Sequence, residues 1–170
     1  MKIKVTIPKV NKVLFGTAVV NHIRDRTLAG KDKDGKPFKA YSTNDFAMPS
    51  GAITQRAIKA LEKSGNLIWF KRNDSEWVLI KGGYKVLKAV KRPSHGGVVN
   101  LTDSGKMLAD LTVIAYPADG IRIGFNREEE AEKAGWNLAR GRDIFGVEDS
   151  VLEDMAEQYL LSGISVEILE

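Results

Sequence analysis

The stretch KIKVTIPKVNKVLFGTAVVNHIRDRTL, residues 2–28, contains a strand pattern followed at once by a helix pattern. Residues 2–7 alternate between polar and apolar side chains, which is typical of a half-buried strand. Pro8 suits the first turn of a helix, where a missing N–H group costs nothing. The apolar residues that follow recur at approximately helical spacing, so we predict a helix from about Pro8 to Leu28.

The rest of the chain adds helices and two hairpins to this beginning. Aromatic and β-branched residues flank polar turns twice, which predicts β-hairpins over 67–81 and 112–125. Helical patterns occupy 52–64 and 128–140, and a last helix is followed by a closing strand over 164–168. The predicted fold class is therefore α+β: a small mixed or antiparallel β-sheet, a long N-terminal helix, a C-terminal helix and an inserted β-hairpin.

Three local predictions concern helix ends and one ambiguous segment. Thr102 is a plausible N-cap for a short helix with the sequence DSGKMLADL. Ser150 and Glu153 have the spacing of a capping box at the start of the last helix. Residues 82–99 are compatible with a short helix or with an extended basic arm, which Gly82-Gly83 and Gly96-Gly97 bracket as hinges.

Composition excludes several classes of function. The 170 residues are 43% hydrophobic and 28% charged, which is the profile of a globular protein with a sizeable core. The absence of cysteine excludes a disulfide scaffold, a Cys-ligated zinc site and a thiol nucleophile. The N-terminus lacks the apolar run of a signal peptide, so we expect folding in a reducing cytoplasm.

Charge is distributed unevenly along the chain. Residues 1–100 contain 20 Lys and Arg against 7 Asp and Glu, whereas residues 101–170 contain 6 against 15. The two parts thus carry +13 and −9, which sum to the overall +4. Either the molecule has opposite electrostatic faces, or both parts intermix in one fold and neutralise each other.

The sequence offers no convincing catalytic or metal site. Its two histidines, His22 and His95, lie in different contexts, and no serine lies in a Gly-x-Ser-x-Gly elbow. The Asp32-Lys33-Asp34-Gly35 segment resembles the start of a calcium loop, but the first and twelfth loop positions carry no carboxylate, which favours a tight turn. We expect no enzymatic activity, no metal and no cofactor.

A basic stretch is a better candidate for binding. Its cations are spaced by three or four residues, so on a helix they would form one positive stripe suited to non-specific phosphate contact. The alternative is an ordinary solvated helix face. The candidate residues are Lys81, Lys85, Lys88, Lys91 and Arg92.

The polar segment 30–50 contains three aromatic residues, Phe38, Tyr41 and Phe46. A long loop with several aromatic residues is usually ordered by anchoring on its own core or by docking on a neighbour. We expect at least one of the three to enter a pocket of a neighbouring subunit.

Three segments together resemble a known family. They are IRDRTLAGKDKDGKPFKAYS (23–42), VNLTDSGKMLADLTV (99–113) and IRIGFNREEEAEKAGWNLARGRDIFGVEDSVLEDM (121–155). Their order and content resemble the virion-morphogenesis proteins of tailed phages, the tail-completion or neck proteins that join head to tail. The resemblance covers about half of the chain, and residues 43–98 stand where a short spacer is expected. We therefore predict a single domain over 1–170 with 43–98 as an insertion or subdomain.

The resemblance implies a structural virion protein without catalytic residues. Such proteins form a homo-oligomeric ring, commonly a hexamer, around the DNA channel of the neck. The implied partners are portal-side neck proteins, the tail terminator or tail tube, and packaged DNA in non-specific contact, with no membrane involved. The implied location is the virion, after assembly in the host cytoplasm. A non-specific DNA-binding protein that uses the 81–92 stretch is the alternative.

Overall fold

The computed structural model describes residues 2–93, 99–102, 104–118, 120–161 and 165–169, with side chains from residue 7 to residue 161 within those ranges. The chain divides into two compact units. Unit 1 consists of Met1–Phe38 and Asn100–Glu170, and unit 2 is the continuous segment Lys39–Val99 between them.

Helices and strands follow one another along the chain in a mixed order, with a short 3-10 helix at Ser50–Ala52. They are β1 (Lys2–Thr6), α1 (Lys9–Leu28), β2 (Phe46–Pro49), α2 (Gln55–Lys63), β3 (Leu67–Arg72), β4 (Ser75–Ile80), α3 (Gly83–Lys91), α4 (Lys106–Asp110), β5 (Leu111–Ala115), β6 (Arg122–Phe125), α5 (Glu128–Ala139), α6 (Asp149–Tyr159) and β7 (Ser165–Leu169).

Unit 1 is built around the long helix α1. Val19, Val20 and Ile23 of this helix are buried with Leu111 of β5, and α6 packs Leu152 and Met155 against the same cluster. Two antiparallel strand pairs complete the unit: β1 pairs with β7, and β5 pairs with β6. The first and last described strands of the chain therefore lie side by side.

Unit 2 has a three-stranded antiparallel sheet in the order β2-β4-β3. Helices α2 and α3 contribute to the core on one face of this sheet, where Leu61, Val78 and Ile80 are fully buried. The β3–β4 turn is made by Asn73 and Asp74, both with positive φ, as a two-residue hairpin turn requires. Thr54 caps α2 because its side chain accepts a hydrogen bond from the Ala57 N–H.

The α+β class, the long N-terminal helix, the C-terminal helix and the 67–81 hairpin are all confirmed. One strand was missed, since β2 lies inside the segment predicted as a loop. It is only four residues long and ends at Pro49, so it carries almost no alternation to detect. It lies at the edge of its sheet, where a proline is tolerated.

Two predicted helix starts are wrong. Helix α4 begins at Lys106 after Gly105, which adopts a φ of 80°, and the Thr102 hydroxyl instead donates to Asn100 Oδ1 at 2.7 Å. Helix α6 begins at Asp149, so Ser150 lies within the first turn and cannot act as the N-cap.

The ambiguous segment 82–99 contains α3, which corresponds to the helix alternative. His95 and the rest of 94–98 lie outside the described residues. Gly82 and Gly83 both have a φ of 72°, and a Cβ atom on Gly83 would collide with the backbone carbonyls of Ser42 and Asn44. Within the described parts of the chain, no helix has the length and apolarity needed to span a membrane.

Candidate interfaces and the arginine junction

The three family-like segments meet in unit 1 through polar contacts to main-chain atoms. Arg24 of the first segment caps the end of α4 in the second. Its Nε donates to the Leu108 carbonyl at 2.9 Å, and its Nη2 donates to the carbonyls of Ala109 at 3.1 Å and Leu111 at 2.6 Å. The Leu108 and Ala109 carbonyls lie at the end of α4, where a short helix leaves its carbonyls without internal partners and a cation is favourable.

Arg26 links the first segment to the third. Its guanidinium donates to the carbonyls of Ile144 at 3.1 Å and Gly146 at 2.9 Å, and to that of Lys33 at 3.3 Å. The side chain is buried, although a cation is costly to bury without partners. Arg26 thus holds the Asp143–Gly146 loop against α1.

A third contact links the second segment to the third. Asp110, at the end of α4, accepts hydrogen bonds from the backbone N–H of Arg127 at 2.9 Å and from its Nε at 3.0 Å. Both hydrogen bonds lower the pKa of the Asp110 carboxyl, and the bond from the Arg127 backbone N–H is the largest cause. Every pair among the three segments is therefore joined by at least one arginine, and we name these contacts of Arg24, Arg26 and Arg127 the arginine junction.

The electrostatics around Arg26 extend to the one histidine among the described residues. Burial lowers the pKa of the Arg26 guanidinium, while Asp32 and Glu148 oppose that shift. Burial first, and then the positive charge of Arg26, lowers the pKa of His22 below its ordinary value of 6.5. His22 is therefore biased towards its neutral form in the folded protein.

The calcium-like segment forms a tight turn. Asp32 Oδ1 accepts hydrogen bonds from the N–H groups of Asp34 at 3.0 Å and Lys36 at 2.9 Å, and Lys31 pairs with Pro37 across the turn. Asp32 is thereby used within the turn, as predicted for the non-metal alternative. No cluster of three or more metal-ligating side chains occurs in the described ranges.

The three loop aromatics are anchored within the chain. Phe38 is 6% exposed and Tyr41 is 8% exposed. The Tyr41 ring contacts Tyr84 of α3 edge-on at 5.2 Å between centroids, and the half-buried Phe46 lies 6.4 Å from the same ring. The expectation that Phe38 or Tyr41 enters a neighbour's pocket is therefore corrected, because neither side chain is available at the surface.

Tyr84 is the residue that sequence reasoning missed. It sits in the segment that could not be assigned, and its ring orders the loop from the α3 side. The backbone contributes as well: the Lys85 N–H donates to the Ser42 carbonyl at 3.1 Å, and the Gly82 N–H donates to Asp45 Oδ1 at 2.8 Å.

The basic stretch does not form one exposed stripe. Lys81 precedes α3 and Lys85 lies in its first turn, and both side chains are exposed. Lys91 and Arg92 are half-buried, whereas Lys88 is 5% exposed. The prediction that these cations form one positive stripe is thus wrong at Lys88, because α3 buries that position together with Leu87.

A second cationic stripe was not identified from the sequence. Arg56, Lys59 and Lys63 are all exposed, and their spacing of three and four residues places them on one face of α2. Their three- and four-residue spacing is visible within the 52–64 helix pattern, between the apolar residues that define the buried face.

The two units differ in charge. Unit 2 contains eleven Lys and Arg against four Asp and Glu, a net charge of +7, and unit 1 contains fifteen against eighteen, a net charge of −3. The basic residues of 1–38 and the acidic residues of 100–170 belong to the same unit, so most of the asymmetry between the halves is neutralised there. The positive charge that remains is concentrated in unit 2.

Comparison of this chain with protein-family models, with curated proteins and with solved structures finds no significant match. The surfaces described above are therefore the basis for assigning a function.

Proposed function

We propose that this chain is a structural virion protein that completes the tail or neck of a tailed phage and joins head to tail as a ring around the DNA channel. The observation that carries the proposal is the arginine junction. The first segment that resembles the neck family is separated from the other two by residues 43–98, yet Arg24 and Arg26 join it to them, and Arg127 joins the second to the third, through contacts that lie within unit 1. Segments that depend on one another for main-chain hydrogen bonds are consistent with the common origin that the resemblance implies.

Two further features support a structural role. Arg24 and Arg26 of unit 1 bind backbone carbonyls, which organises loops. The positive charge of unit 2 suits a ring, because each copy adds its cations around one channel.

The decisive experiment is deletion of the gene from the phage. Loss of a joining protein blocks assembly after both halves are built, so infected cells should accumulate DNA-filled heads beside unattached tails. Supplying the intact chain from a plasmid should restore infectious particles. Normal virions from the deletion phage would overturn the proposal.

A second candidate, a non-specific DNA-binding protein, is favoured by the exposed cations on α2 and around α3. Such a protein binds free duplex with affinity that falls steeply with salt, because each neutralised phosphate releases counterions. The measurement is the slope of log K against log salt for the intact chain. A steep slope together with normal virions from the deletion phage would select this function over the first.

A further inference from the structure

One face of the unit 2 sheet is apolar, and it is the face opposite to the one on which α2 and α3 pack. Cross-strand partners project to the same side of a sheet, and the register places Val78 and Ile80 on the side of α2 and α3. The opposite side, which we name the outer sheet face, carries Pro49, Ile68, Phe70, Arg72, Trp77 and Leu79. Ile68 and Phe70 are 42% and 38% exposed.

The outer sheet face has the chemistry of a protein interface. The Arg72 guanidinium lies 5.0 Å from the centroid of the Trp77 ring, and the Phe70 ring lies 6.4 Å from Trp77. Arginine, tryptophan and other aromatics are the residue types that dominate binding energy at protein interfaces. Because Arg72 already occupies a face of Trp77, the cluster is less suited to stacking a nucleic-acid base on that ring.

A complementary surface exists on unit 1. Glu128, Glu129, Glu132 and Trp136 of α5 fall within about 100° of one another around the helix axis, as the helical repeat dictates. All four side chains are exposed. Trp136, the apolar residue among them, is 58% exposed. We name this surface the acidic face of α5. It offers one large aromatic side chain among three carboxylates, of which Glu129 already lies 3.7 Å from Nη1 of Arg127 in its own chain.

We propose that the outer sheet face of one copy binds the acidic face of α5 of a second copy. Apolar contact between Trp136 and the Phe70–Trp77 cluster supplies the centre of the interface, and Arg72 gains a carboxylate partner such as Glu132. Charge complementarity favours this occupant, because the sheet belongs to the unit of net charge +7 and α5 to the unit of net charge −3.

The contact is heterologous, since two different surfaces meet. Each copy therefore keeps one free surface of each kind, and copies add head to tail until the arrangement closes. This inference deepens the proposed function and rests on it for the ring, because it assigns the contact between neighbouring copies. Unit 2 then contributes directly to the contact between copies, together with α5 of one of the segments that resemble the family.

The first test uses the full chain in a sedimentation series over concentration. Phe70→Asp blocks the outer sheet face, Trp136→Asp blocks the acidic face of α5, and Val10→Asp places the same charge on an exposed apolar residue of α1 as the control. The intact chain and the control should associate with rising concentration. Each blocked variant should lose at least about tenfold in affinity, as expected for a hot-spot residue.

The second test exploits the two different surfaces. An equimolar mixture of the Phe70→Asp and Trp136→Asp chains retains one competent contact, so it should form a 1:1 dimer that grows no further. Arg72→Glu and Glu132→Arg should each weaken association, and their mixture should recover it because opposite charges face each other again. Recovery on mixing also shows that the variants are folded.

The proposal is overturned if the intact chain stays monomeric at every concentration, if the blocked pair forms no dimer, or if Val10→Asp abolishes association equally. It is also overturned if a single-stranded DNA oligonucleotide binds the intact chain but not Phe70→Asp while association is unaffected. A joining defect in the deletion phage together with no pairing of these faces would overturn this inference alone. Pairing together with normal virions would overturn only the proposed function.

Discussion

At the scale of single residues, two arginines of one helix perform different tasks although they are two positions apart. Residues i and i+2 point to different sides of an α-helix, so Arg24 reaches α4 while Arg26 reaches the Asp143–Gly146 loop. Both satisfy main-chain carbonyls, and Arg26 does so from within the protein. A buried carbonyl without a donor is costly, which makes Arg26 the more sensitive of the two positions.

We predict that Arg26→Met destabilises the protein by about 1–3 kcal/mol, because it removes the guanidinium donor from the buried Ile144 carbonyl and from the part-buried carbonyls of Lys33 and Gly146. Arg140→Met changes the same residue type at an exposed position and should shift stability by less than about 0.5 kcal/mol. Urea unfolding of the three proteins measures both values. Equal midpoints for Arg26→Met and the intact chain would show that water replaces the guanidinium.

Stability should also decline on acidification because of His22. Its folded pKa is lowered, so between pH 7.5 and 5.5 the unfolded chain takes up a proton before the folded one does, and unfolding is favoured as the pH falls through about 6.5. His22→Gln removes this proton uptake and should flatten the decline in melting temperature over that interval. An equally steep decline in the variant would assign the effect to other groups.

At the scale of elements, periodic patterns predicted most of the architecture. Apolar residues at helical spacing predict helices α1 and α2, whereas aromatic and β-branched residues on both sides of a polar turn predict the β3–β4 hairpin. The four-residue β2 and the starts of α4 and α6 depend on a few residues whose roles are set by tertiary contacts, so local sequence could not predict them.

The candidate surfaces were predictable only in part, for the same reason. Spacing identified the cations of α3, but whether Lys88 is solvated depends on what packs against that turn. The burial of Tyr41 depends on Tyr84, which lies more than forty residues away in sequence. The outer sheet face can be assigned only from the pairing register. That register places Phe70 and Trp69 on opposite faces of the sheet although the two are adjacent in the chain.

The packing of the 39–45 loop against α3 should be sensitive to the size of residue 83. Gly83 has a φ of 72° and lies against the carbonyls of Ser42 and Asn44, so Gly83→Ala introduces both strain and a collision. We predict a loss of about 1–3 kcal/mol of stability. Gly51→Ala is the matched control, because its Cβ would meet nothing within 4 Å and its φ is not positive.

At the scale of the whole molecule, each unit has its own hydrophobic core. Leu61 is fully buried in unit 2, and Leu111 is buried in unit 1. Leu61→Ala should cost about 2–5 kcal/mol and accelerate hydrogen exchange across α2, β3 and β4 while leaving α1 protected. Leu111→Ala should do the reverse. Uniform acceleration in both variants would show that the two cores unfold as one.

If the chain binds DNA, unit 2 should carry the salt dependence. Lys59→Gln with Lys63→Gln removes two exposed cations and should reduce the slope of log K against log salt by about 2. Lys9→Gln with Lys106→Gln makes the same change in net charge within unit 1 and should leave the slope nearly unchanged. Equal effects of the two pairs would assign binding to overall charge and not to unit 2.

The pairing of β1 with β7 sets an order of events during synthesis on the ribosome. Unit 2 is continuous, so it can fold once residue 99 has left the exit tunnel, whereas β1 must wait until residue 169 is available. At roughly 5–20 residues per second, the intervening 70 residues take about 4–14 s. During that interval the nascent chain carries a complete unit 2 and a β1 strand that still lacks its partner. A truncated product that ends before β7 would therefore leave β1 without its partner strand, and an unpaired strand edge is a template for aggregation.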